Sequence, residues 1–103
     1  MPNNVTSSGK KIASAQIFTG PGALTGFDLT PPQDCNVIVT FYDSEDASTT
    51  GKLELLELEL DAGLSSLNHD MSSHIAVNRG LYVVYTPTGT QGTSSYIVRF
   101  TRG

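Results

Sequence analysis

Apolar and polar residues alternate with a period of two along most of this chain, in short runs separated by glycine, proline and small polar residues. A period of two is what a strand with one buried face requires, because successive side chains point to opposite sides. From Lys10 to Thr19, Ala13, Ala15 and Ile17 alternate with Ser14 and Gln16, which predicts a strand. Gly20-Pro21-Gly22 breaks the run. Ala23–Thr30 resumes it, with Phe27 and Leu29 on one side and Asp28 on the other, and Pro31-Pro32-Gln33-Asp34 ends it. Cys35–Tyr42 is the clearest strand: Cys35, Val37, Val39 and Phe41 take one face, while Asn36, Thr40 and Tyr42 share the other with Ile38.

After a polar loop from Asp43 to Gly51, two rules conflict over Lys52–Leu60. Leu53, Leu56 and Leu60 satisfy a helical spacing, and Leu and Glu favour helix. Yet Leu56-Glu57-Leu58-Glu59-Leu60 alternates strictly, and Leu53–Leu55 alternates in the opposite phase. A strand with a β-bulge between Leu55 and Leu56 reconciles the two halves, and period outweighs weak propensity. Asp61–Ser66 reads as a turn, and Met71, Ser73, Ile75 and Val77 line one face of a further strand. Asn78-Arg79-Gly80 makes a tight turn, with Gly80 able to take a positive φ. Leu81–Tyr85 is β-branched and aromatic, Thr86–Ser95 is a Gly/Thr-rich loop, and Tyr96–Thr101 places Tyr96, Val98 and Phe100 inward. The expectation is a single all-β domain, a β-sandwich or jelly-roll-like fold of seven to eight short antiparallel strands. It spans residues 10–103, behind a polar, flexible N-terminal arm over residues 1–9.

Composition narrows the function classes. The length of 103 residues fits one domain. The net charge is −4, and the six basic residues are scattered at Lys10, Lys11, Lys52, Arg79, Arg99 and Arg102. No basic stripe forms, which argues against nucleic acid as a partner. Cys35 is the single cysteine, so no internal disulfide forms. No run approaches the ~20 apolar residues of a membrane helix, and Met1–Thr6 contains no apolar signal region. The expectation is a soluble protein made in the cytosol.

Each candidate for chemistry has a plainer structural reading. Gly20-Pro21-Gly22-Ala23-Leu24-Thr25-Gly26 resembles a phosphate loop superficially, but Thr25 stands where the dinucleotide motif needs glycine, so it reads as a turn between strands. His69 and His74, with Asp70, fall short of the three or four converging ligands of a zinc site. Asp43-Ser44-Glu45-Asp46 offers oxygen ligands without calcium-loop spacing. Glu54, Glu57 and Glu59 read as solubilising residues on an open strand face and Cys35 as a small core residue. Tyr42, Tyr82 and Tyr85 could present rings to a sugar, although buried tyrosine is the ordinary use. No catalytic, cofactor-binding or metal-ligating residues are assigned, and no enzymatic activity is expected.

Gly20–Gly26, the strand Val37–Asp43 and Gly80-Leu81-Tyr82-Val83-Val84 together resemble small β-sandwich structural proteins of tailed bacteriophages. In that group a GPG-x-L-x-G turn, a VTFYD strand and a GLYVV strand recur in this order. The resemblance covers about residues 11–101, and the Leu/Glu-rich stretch at 53–60 departs from it. It implies a virion location and a capsid decoration or cement protein bound to the major capsid protein as a dimer or trimer. A tail- or fibre-associated virion protein and a carbohydrate-binding β-sandwich module are the alternatives.

Overall fold

The computed structural model describes residues 5–31, 35–48, 50–62, 67–89 and 94–102. Among them the alternating runs form eight strands: β1 (Thr6–Ser7), β2 (Ala15–Thr19), β3 (Gly22–Thr30), β4 (Val37–Asp43), β5 (Leu53–Leu60), β6 (Leu67–Val77), β7 (Gly80–Pro87) and β8 (Ser95–Arg102). β1 pairs with β8, β2 with β7, β3 with β6 and β4 with β5, all antiparallel. The chain is thus laid out as one long hairpin whose tip lies between β4 and β5, then rolled so that alternate pairs fall in opposite sheets. β3 also pairs with β8 and β4 with β7, giving sheet orders β1-β8-β3-β6 and β2-β7-β4-β5. That order is the eight-stranded jelly roll. The expected all-β sandwich is the fold, and pairing order, which alternation does not encode, specifies its topology.

The inner faces of the two sheets meet through aromatic pairs. Phe27 of β3 lies 5.6 Å from Phe41 of β4, Phe18 of β2 lies 4.9 Å from Phe100 of β8, and Tyr85 of β7 lies 5.0 Å from Tyr96 of β8, between ring centroids. Leu24, Leu29, Val37, Val39, Leu81, Val83 and Val98 fill the space between them, all fully buried. Tyr96 is as buried as these, and its hydroxyl donates to the Ala13 carbonyl at 2.6 Å. Burial pushes the Tyr96 phenol well above its ordinary range.

Bulges set which residues face inward. Phe41 opposes Leu56 and Tyr42 opposes Glu54, leaving Leu55 as the additional residue. The phase slip read between Leu55 and Leu56 is therefore a bulge in a strand, and the helical alternative is excluded for this segment. In β2, Gln16 opposes Tyr82 and Phe18 opposes Leu81, so Ile17 is the additional residue. The bulge turns Phe18 into the core, and Ile17, half-buried, packs against it. In β6, Leu24 opposes Ile75 and Gly26 opposes Asp70, so residues 71–74 stand against Thr25 alone. The regular face expected from Met71 through Val77 is broken there, and Ser73 is exposed.

Several boundaries also differ from the expected ones. The strand expected from Lys10 begins at Ala15, and Lys11 makes an isolated bridge to Tyr96. β6 begins at Leu67, earlier than expected, and Cys35 precedes β4 in a bend, half-buried beside Gly89, not in the core. In the expected arm, Thr6 and Ser7 pair with Phe100 and Arg99, and the Ser8 N–H donates to Val98 O at 2.8 Å. That described part is laid along the edge of β8, where the Ser8 hydroxyl also accepts the Val98 N–H; residues 1–4 lie outside the described residues.

Candidate interaction surface

Because β4 and β7 are central in their sheet, their alternate residues build the middle of its outer face. Ile38 opposes Thr86, Thr40 opposes Val84 and Tyr42 opposes Tyr82. On the other side of β4, the same three residues oppose Glu59, Glu57 and Glu54. The face therefore reads as a row of three carboxylates on β5 beside two apolar and aromatic columns. Ile38, Tyr42, Tyr82 and Val84 are half-buried, and the three glutamates are exposed. Thr40 is only 6% exposed although it points outward, because longer neighbours surround it. The result is a sheet face that is apolar and aromatic at its centre and acidic along one side.

Buried polar groups brace the end of this face. The Asp43 carboxylate, 6% exposed, accepts the Arg79 N–H at 2.7 Å and the Asn78 N–H at 3.2 Å. It ties the β6–β7 turn to the end of β4, and the Ser44 N–H donates to Gly80 O at 2.9 Å beside it. The Gln16 side-chain amide donates to Phe18 O at 2.8 Å and to Ser44 O at 2.9 Å, so β2 is held to the same corner. Asp43→Ala leaves the Asn78 and Arg79 N–H groups of the turn without their charged acceptor. A loss of about 2–3 kcal/mol is expected, read as a fall in melting temperature of roughly 10–20 °C.

The remaining candidates do not converge. Asp43 faces the turn, Glu45 pairs with Lys52, and Asp46 accepts the Ser48 N–H at 2.9 Å, so the acidic loop divides its carboxylates among separate partners. The hydrogen bond from Lys52 holds the Glu45 carboxyl below its ordinary range. His69 and His74 are exposed, His69 against Phe27 with ring centroids 5.4 Å apart. Among the described residues no group of three or more His, Cys, Asp or Glu is placed to hold a metal ion. Gly20–Gly26 is the turn into β3 and the strand itself. Of the three tyrosines considered for sugar contact, Tyr42 and Tyr82 are brought together and Tyr85 is separated into the core. An open depression of about 330 Å³, lined by Pro21, Ala23, Ala76, Asn78 and Arg102 among others, lies on the opposite sheet.

The outer side of that opposite sheet carries an ion-pair cluster that alternation alone did not reveal. Arg99 of β8 reaches Asp28 of the adjacent β3 at 2.6 Å and crosses that strand to Asp70 of β6 at 2.7 Å, donating also to His69 O at 2.9 Å. Gly26 makes the crossing possible, since a Cβ there would stand 2.8 Å from the guanidinium. The sequence signal was present in the outward phase of Asp28 and Arg99, but their adjacency depends on the β3–β8 pairing. The cluster ties edge strand β6 to its sheet.

Comparison with known proteins adds no further guide: no family model, curated protein or solved structure matches this chain.

Proposed function

We propose that this chain is a non-catalytic structural protein of a phage virion, a decoration or cement protein that grips the outer capsid shell through the Tyr42–Tyr82 face. The observation that carries the reading is the apolar and aromatic field on β4 and β7 beside the Glu54, Glu57 and Glu59 row. Aromatic centres with polar rims are how protein interfaces concentrate binding energy. The partner surface that fits is apolar at its centre and basic along one side. The strands that resemble the phage proteins, Val37–Asp43 and Gly80–Val84, fall in β4 and β7, the two hydrogen-bonded neighbours that build this face. Many copies bound per shell would also stabilise a small domain by mass action.

Co-sedimentation with purified undecorated capsids tests the proposal. The expected result is binding in proportion to the number of major capsid subunits. A few copies per particle would favour a tail- or fibre-associated position, and no binding would overturn the capsid reading.

One observation favours a second reading. Tyr42 sits opposite both Tyr82 and Glu54, and ring faces beside a carboxylate acceptor suit a sugar, a ligand that jelly-roll lectins also take. Under it, a glycan array gives a signal that Tyr82→Ala removes; a blank array disposes of it.

A further inference from the structure

The two lateral edges of the sandwich differ in charge. Sheet order places β1 and β2 at one edge and β5 and β6 at the other. The segment between β1 and β2 carries Lys10 and Lys11. The opposite edge carries Glu54, Glu57 and Glu59 on β5 and Asp61 just beyond it, all exposed. The exposed large apolar residues divide the same way: Val5 and Ile12 are 54% and 61% exposed at the basic edge, Leu53 and Leu67 64% and 38% exposed at the acidic one. Each edge thus offers apolar side chains beside one sign of charge, and the signs are opposite.

We infer that copies of this chain associate head to tail, the Lys10-Lys11-Ile12 edge of one copy against the Leu53–Glu59 edge of the next. Symmetry argues for this arrangement over a two-fold dimer. A two-fold contact between identical edges sets Glu57 and Glu59 against their own copies, or Lys10 and Lys11 against theirs, and like charges across an interface are costly. The heterologous contact alone pairs opposite charges. Strand direction is compatible as well. Neighbours within β2-β7-β4-β5 are all antiparallel, so β2 and β5 run in opposite directions. A neighbour related by rotation about an axis along the strands therefore brings its β2 antiparallel to β5, with no inversion. Such contacts close into a ring where the rotation allows. The Glu54–Glu59 row also flanks the Tyr42–Tyr82 face, whereas Lys10 and Lys11 lie at the opposite edge, so the lysine edge is what separates this inference from the capsid reading.

Charge reversal tests it by sedimentation equilibrium of the whole chain. Wild type is expected to associate at low salt and to dissociate as salt rises, because exposed pairs are screened. K10E/K11E and E57K/E59K should each weaken association by roughly tenfold or more. The variant with all four reversals carries swapped edges and should associate with itself again. Its recovery also shows that the loss in the double variants was not misfolding. A wild type that stays monomeric up to its solubility limit would overturn the inference. So would double variants with unchanged mass, or a quadruple variant that stays monomeric. Capsid co-sedimentation of K10E/K11E, which leaves the Tyr42–Tyr82 face and its glutamate row unaltered, is read separately, so failure of self-association and failure of capsid binding are distinguishable.

Discussion

Phe41→Ala is expected to bring the protein close to unfolding at ordinary temperatures. Phe41 is fully buried in the middle of β4, packs its ring 5.6 Å from Phe27 across the sandwich, and stands between Val83 and Leu56 in its own sheet. Removing a buried phenylalanine ring costs about 3–5 kcal/mol, because lost burial and an unfilled cavity add together. A domain of this size has on the order of 5–15 kcal/mol in all. The melting temperature should therefore fall by roughly 15–30 °C. Urea unfolding followed by circular dichroism measures this directly. A change below about 1 kcal/mol, the range of surface substitutions, would mean that the sheets are not joined through this pair.

Gly80→Ala is expected to have the next largest effect, for a different reason. Gly80 begins β7 with φ +149°, and a Cβ there would lie 2.7 Å from Phe18 O and 2.9 Å from Ser44 O, both backbone atoms. Neither can move without disturbing the corner that Asp43 and Gln16 brace. Backbone strain and the clash together should cost about 3 kcal/mol. Gly51→Ala separates the two contributions, since Gly51 has φ +76° but nothing within 4 Å of the added carbon. It should cost about 1–2 kcal/mol, the penalty of a left-handed conformation alone. Equal losses in the two variants, from denaturant midpoints, would contradict the close packing at Gly80.

Much of this fold was legible in the sequence because burial on one face imposes a period of two. Tyr96, Val98 and Phe100 were readable as inward residues, as were Phe27 and Leu29, and all are buried. Even the Leu55 bulge could be read, because two strictly alternating halves met out of phase. The Ile17 bulge could not: Phe18 follows it directly and only Thr19 remains before the strand ends, too few residues to show a change of phase. The break in β6 was hidden likewise, since Ser73 and His74 suit an exposed strand as well as a bulge. Strand order was out of reach because it depends on long-range pairing, and with it went the features of the candidate surface. That Tyr42 would meet Tyr82, and that Arg99 would cross Gly26 to Asp70, follow from register and not from any local pattern. Asp43 read as part of a solvated acidic loop because nothing nearby in sequence marks it as the acceptor for a turn thirty-five residues away.

Docking through the Tyr42–Tyr82 face is tested most directly by hydroxyl-radical footprinting of the protein free and bound to capsids. Both tyrosines should be shielded on the particle, while His69 and His74, on the other sheet, should label as they do in the free protein. Equal labelling of Tyr42 and Tyr82 in the two states, with the protein demonstrably bound, would contradict attachment through this face.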